Sequence, residues 1–171
     1  YRFKVWWLGA CGHEWDSALE SRAKARQGCP YCSNHRILSG YNDLAFKNPL
    51  LSEEWHPTKN GKLLPTQVAS QSSRKVWWLG KDCGHEWESL VSSRTNSGKG
   101  CPYCSNHRVL VGFNDLATLR PDLVKEWNYS KNLHIDPTEL TVGSGTRIWK
   151  KKEKRHEWDT QLNDRAFYST Q

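Results

Sequence analysis

The apolar residues of this chain come in short bursts that return at a fixed distance. Val5-Trp6-Trp7-Leu8 and Val76-Trp77-Trp78-Leu79 are β-branched and aromatic runs of strand length. After each, Trp15, Ser17, Leu19 and Ser21 (and their counterparts) alternate as a strand does, although Trp15, Ala18, Leu19 and Arg22 also fit one helical face. The alternation is taken here, and it predicts a β-hairpin whose turn is Cys11-Gly12-His13 or Cys83-Gly84-His85. Further on, Asn42-Asp43-Leu44-Ala45 and Asn114-Asp115-Leu116-Ala117 predict a helix start with Asn as the cap. Pro49 and Pro121, each followed by apolar residues, fit a helix's first turn. Two short helices per copy follow. Turn residues Asn60-Gly61 and Asn132 come next, then Leu64 to Val68 and Asp136 to Leu140. Small-residue stretches, Ser70 to Ser73 and Gly143 to Gly145, lead into the next Trp strand and are the expected hinges.

The same words therefore occur twice. Gly28-Cys29-Pro30-Tyr31-Cys32-Ser33-Asn34-His35-Arg36 returns as Gly100 to Arg108, and Cys11, His13 and Cys29 each reappear 72 residues later. Trp7 and Trp78 are only 71 apart, so one residue was inserted between the Trp pair and Cys83, which points to a turn there. A third copy begins with Ile148-Trp149, aligned here with Trp77-Trp78, and continues as His156-Glu157-Trp158-Asp159. In it Lys154 replaces the cysteine and Arg155 the glycine, so no metal is expected. His and Trp outlast the site, which indicates a packing role beside any ligand role. The predicted organisation is a first module over 1–75, a second over 76–147, and a partial third repeat lacking cysteines over 148–171. The expected fold class is small α+β, each module a β-hairpin with short helices.

Composition sharpens this. A copy of about 72 residues buries little apolar surface, and domains that small are commonly reinforced by disulfides or a structural metal. Three cysteines per copy cannot pair off, whereas three thiolates and one imidazole suit Zn²⁺. The Cys-x-x-Cys turns of Cys29/Cys32 and Cys101/Cys104 let both sulfurs face one ion. Gly12 and Gly84 give the Cys-Gly-His turns the freedom to aim both flanking side chains inward. Two sites are expected: Cys11, His13, Cys29, Cys32 and Cys83, His85, Cys101, Cys104. His35 and His107, which recur as faithfully, are the alternative fourth ligands. His56 and His134 fall at non-matching positions and read as surface residues. The four tryptophans Trp15, Trp55, Trp87 and Trp127 are expected in the core, with Trp6 and Trp77 as exposed members.

These residues resemble a tandem zinc-ribbon or treble-clef zinc-finger family of bacterial, phage and plant proteins, often found beside endonuclease-like domains. The likeness covers nearly the whole chain. It rests on Trp77-Trp78, Gly84-His85-Glu86-Trp87, Arg94, Gly100-Cys101-Pro102-Tyr103-Cys104, Asn114 to Ala117, Pro121 and Glu126-Trp127, with the same set in the first copy. Here Gly9 and Gly80 stand where the family's first cysteine often lies, and Cys11 and Cys83 directly precede Gly-His. The resemblance implies zinc and nucleic-acid binding.

Charge bears on the partner. The net charge is +7, yet residues 76–147 carry eight basic and eight acidic side chains. Phosphate contacts must therefore come from local clusters. The candidates are Arg22, Lys24 and Arg26, then Arg36 and Arg108, Arg74 and Lys75, and Lys150, Lys151 and Lys152. Arg94 belongs with Arg22 and Arg165, each nine residues after a His, placed to reach a phosphate or to brace the fold. The leading function is a structural-zinc module binding nucleic acid, DNA ahead of RNA, as the targeting part of a larger protein. A protein-interaction module is the alternative. A His-metal finger nuclease built on Asn34-His35 and Asn106-His107 lacks a recurring base and phosphate clamp, so no enzyme activity and no catalytic residue is expected. No run of about 18 apolar residues exists to span a membrane. The absence of methionine and the opening on Tyr1 within a strand read as a fragment, expected inside the cell, in the cytoplasm or on the nucleoid.

Overall fold

The structure, a computed structural model, describes residues 3–25, 28–152 and 156–164. Three two-stranded antiparallel hairpins are its repeated feature: β1 Lys4–Leu8 with β2 Glu14–Ala18, β3 Lys75–Leu79 with β4 Glu86–Leu90, and β5 Arg147–Lys151 with β6 Glu157–Gln161. The inserted residue of the second copy lies in the hairpin loop, as expected of an indel at a turn. Each loop is closed by the same backbone bond, from Gly9 to His13 carbonyl, Gly80 to His85 carbonyl and Lys152 to His156 carbonyl, at 2.9, 2.9 and 3.0 Å.

Each strand after the turn is shorter than the alternation suggests. It gives way to a helix, α1 Leu19–Ala25 and α4 Val91–Ser97, with Gly98 in the left-handed conformation closing α4. Between the cysteine motifs lie the two expected short helices per copy: α2 Leu44–Lys47 and α3 Pro49–Ser52, then α5 Leu116–Leu119 and α6 Pro121–Lys125. Pro49 and Pro121 open α3 and α6, where a missing N–H costs nothing. The caps of α2 and α5 are Asp43 and Asp115, whose carboxylates accept from the Phe46 and Thr118 amides; they are not the preceding asparagines. A 3-10 turn, Pro65–Gln67 or Pro137–Glu139, completes each block.

Register corrects the alignment of the third copy. Trp77 faces Glu88 and Trp78 faces Trp87, whereas Trp149 faces Asp159 and Lys150 faces Trp158. Trp149 thus stands where Trp77 does, and Lys150 takes the place of Trp78. In a strand a one-residue slip reverses every face, so matching tryptophan to tryptophan puts the wrong residue inside.

Each helical block packs on the hairpin that follows it. In the second half of the chain, Leu116, Leu123, Trp127, Ile148 and Leu162 form one buried cluster, flanked by Val124, Ile135, Leu140 and Val142. In the first half Leu44, Val68, Val76, Trp78 and Val91 are buried, at the positions of Leu116, Leu140, Ile148, Lys150 and Leu162. Backbone bridges Trp55 to Trp78 and Trp127 to Lys150 join block to strand. The expected boundary between 75 and 76 therefore cuts between a block and its own hairpin. The compact units are instead Tyr1–Lys99 and Gly100–Gln171. The expected hinges are tied down as well: Ser92 N–H bonds to Ser72 carbonyl, Thr95 Oγ1 to Ser70 carbonyl, and Asn163 N–H to Ser144 carbonyl. Among the described residues no helix is long and apolar enough to cross a membrane.

Candidate metal centres

Two groups of four side chains gather, Cys11, His13, Cys29, Cys32 and Cys83, His85, Cys101, Cys104, with their ligand atoms within 4.8 Å of one another. None of the six cysteines is in a disulfide. In the first group His13 Nδ1 lies 3.5 Å from both Cys29 and Cys32 Sγ. A tetrahedral zinc with bonds near 2.3 Å to sulfur and 2.05 Å to nitrogen separates those atoms by about 3.5–3.6 Å. The donor set and its spacing fit that ion. His35 and His107 belong to neither group.

The first knuckle is the hairpin turn. Gly12 and Gly84 have φ of +78° and +66°, a conformation that swings the flanking Cys and His to one side. A Cβ on Gly80 would collide with Cys83 Sγ, and one on Gly9 would lie 3.0 Å from Cys11 Sγ and 2.9 Å from the Trp15 ring. Glycine at those places lets the sulfur turn back against the strand end.

The second knuckle is Cys-Pro-Tyr-Cys, and Asn42 holds it. Its side chain accepts from Leu38 N–H at 2.7 Å and donates to the Tyr31 and Arg36 carbonyls at 2.9 Å each and to Asn34 Oδ1 at 3.3 Å. Asn114 repeats all four bonds at 2.7, 2.8, 2.8 and 3.2 Å. Asn34 and Asn106 turn the chain with positive φ, 58° and 56°. The sequence pattern alone reads Asn42 and Asn114 as helix caps. Their repetition at a fixed distance from the cysteines is the signal that could have marked a knuckle clamp.

The thiols are not equivalent. The backbone N–H of His13 holds the Cys11 thiol below its ordinary range. The Tyr41 hydroxyl, 3.6 Å away, favours the Cys32 thiolate, but its thiol neighbours Cys11 and Cys29 together with desolvation outweigh that and push it up. Donating to that sulfur raises Tyr41 in turn. The second copy has Phe113 at this position, so its site lacks the hydroxyl.

The predicted phosphate contacts scatter. Arg94 is buried over the rings of Trp78 and Trp87, at 4.8 and 5.0 Å, with Nη2 on Glu54 at 2.8 Å. Of the two roles its spacing allows, phosphate contact or brace, it takes the brace. Lys150 is fully buried, 3.4 Å from Glu126, so it is not part of an exposed lysine tract. Arg22 lies over Trp7 and Trp15. Arg36 and Lys4 share Asp16, whose carboxyl they hold down at about 2. Lys75 pairs with Glu88. Arg74, Arg108, Lys151 and Lys152 are exposed, Lys24 lies on α1, and Arg26 and Arg165 fall outside the described residues, as do Lys154 and Arg155.

His56 is a correction of another kind. It is buried, not on the surface: its Nδ1 accepts the Thr58 and Lys59 amides, so Nε2 carries the proton it donates to Glu86 at 2.9 Å. Asn128, at the matching position, donates to Glu157 at 3.0 Å. The role recurs where the residue does not. His134 is exposed as expected.

A family model described as a probable treble clef zinc finger domain matches residues 1–35, 51–107 and 123–171. No curated protein matches the chain.

Proposed function

Because the chain belongs to the probable treble clef zinc finger family, we propose that zinc here is structural and holds exposed loops that bind nucleic acid, with DNA the first target to test. Four protein ligands per site leave no position for a reactive water, so the reading includes no catalytic step. The module would act as the targeting part of a larger protein.

The observation that carries it is the loop after each Cys-Pro-Tyr-Cys. Ser33-Asn34-His35-Arg36 and Ser105-Asn106-His107-Arg108 are identical and exposed, whereas the spacers before the knuckles, residues 22–28 and 94–100, have drifted apart in sequence. Ser33 Oγ donates to Cys29 carbonyl and lies 2.9 Å from His35 Nδ1. With the hydroxyl proton committed, Nδ1 donates, which leaves Nε2 of the neutral ring as the acceptor. Ser105 presets His107 in the same way at 3.0 Å. A presented imidazole beside an arginine is a donor–acceptor pair for phosphates and base edges.

The second reading, a protein-interaction module, draws on the ion pairs that already engage Arg36, Lys75, Arg94 and Lys150. A mobility-shift titration against duplex DNA, single strands and RNA at two salt concentrations separates the two. Two phosphate contacts would lower affinity about tenfold between 50 and 200 mM salt. Replacing His107 and Arg108 together by alanine should weaken binding with zinc content and circular dichroism unchanged. Absence of binding to all three nucleic acids favours the protein partner.

A further inference from the structure

The described residues form three hairpins and two helical blocks, and the comparison among them singles out one face. In the second hairpin Val76 and Val91 are 3% and 0% exposed, and in the third Ile148 and Leu162 are both 0%. The block of residues 40–68 covers the former pair, and that of 112–140 the latter. In the first hairpin the same two positions, by register, are Val5 and Leu19. They are 39% and 60% exposed.

The strand edge tells the same story. The Trp77 carbonyl accepts from His56 N–H at 3.1 Å and Leu79 N–H donates to Glu54 carbonyl at 2.8 Å; Trp149 with Asn128 and Lys151 with Glu126 repeat both bonds at 3.1 and 2.8 Å. Asn60 and Asn132 add side-chain bonds to the Trp77 and Trp149 amides, 2.8 Å each. Trp6 and Leu8 hold the corresponding edge positions in β1. No backbone group outside the hairpin reaches them among the described residues. An uncovered strand edge beside an apolar face is a pairing surface.

We infer that this face of the first hairpin is a docking surface for a third helical block of the same chemistry: an Asp-capped Leu-Ala turn, a Pro-started second helix and a Glu-Trp segment pairing with the edge, carried on the hairpin's N-terminal side. In both observed instances the block precedes its hairpin, with the Glu-Trp segment on the first strand. A second copy of this chain is a poor donor, because its two blocks are each seated on their own hairpins. Arg22 lies over Trp7 and Trp15 as Arg94 lies over Trp78 and Trp87, so the first hairpin carries the same arginine and ring arrangement as the covered one.

The test places a copy of residues 40–74 ahead of Lys4, joined as the native segment joins Lys75. Hydrogen exchange across residues 4–25 is then compared in the full zinc-loaded chain with and without the graft. The β1–β2 amides should slow on the order of tenfold or more in the graft. Val5→Asp should abolish that slowing, yet leave the ungrafted chain within about twofold because the face is bare there. Exchange unchanged by the graft, or slowed but indifferent to Val5→Asp, overturns the inference. So does a dimer of the ungrafted chain whose β1–β2 exchange slows with concentration, since a second copy would then be the occupant.

Discussion

Lys150 fills in the third hairpin the buried position that Trp78 fills in the second. The exchange is tolerated because the glutamate beside each is the same residue of the repeat: Glu54 pairs with Arg94 above Trp78, and Glu126 pairs with Lys150 itself. The lysine stem supplies apolar packing and the ammonium stays with a carboxylate that is still partly solvated. Lys150→Ala should therefore cost about 2–3 kcal/mol in urea denaturation, mostly through lost packing. Lys150→Met, which keeps the stem, should cost clearly less. Equal losses for the two would show that the charge pair, not the stem, holds the site.

The third hairpin also separates zinc from fold. It has no cysteine, yet it pairs over five residues and buries Ile148 and Leu162 against Leu116, Leu123 and Trp127. Metal analysis of the reduced chain should give two zinc ions. Chelation should expose the amides of residues 28–36 and 100–108 to exchange while those of the Leu116–Trp127–Ile148 cluster stay protected. Loss of protection in that cluster on chelation would mean that the hairpin depends on the neighbouring metal site.

Asn42 and Asn114 each tie four groups of the loop that presents the Cys-x-x-Cys pair. They contact no metal, but outer residues that orient ligands are commonly worth 10- to 100-fold in affinity. Asn42→Ala is expected to loosen the first site by roughly that factor and Asn114→Ala the second, in a chelator competition that resolves two ions. An unchanged competition curve for both variants would assign the clamp to folding alone.

The metal ligands are legible in the sequence because cysteine chemistry leaves few options and the copies repeat it in register. The short helices are legible from Pro49, Pro121 and their neighbours. Position is lost where residue type changes between copies. By kind Trp149 matches Trp78, while the structure matches it to Trp77. His56 reads as a stray surface histidine because Asn128 replaces it, although both hold the glutamate at the start of the following outer strand. Helices α1 and α4 are hidden because strand and helix share Leu19 and Val91 at their junction, so neither period runs long enough to declare itself.

Asp115 caps α5 from a buried position, accepting from Thr118 N–H at 2.9 Å and Gly112 N–H at 2.6 Å. Burial alone would raise its pKa, but the hydrogen bonds from Thr118 and Gly112 outweigh that and leave it below the ordinary carboxylate range. A carboxylate depressed on folding stabilises above the unfolded value, about 3.9, and loses that contribution as pH falls through the folded value. Asp115→Ala should cost about 1 kcal/mol near neutrality, as a lost N-cap does. Measured by urea titration with chelator present, so that acid release of zinc affects both proteins alike, the gap between wild type and Asp115→Ala should shrink below about pH 4. A gap that stays constant down to about pH 2.5 would show that the neutral carboxyl caps as well as the charged one.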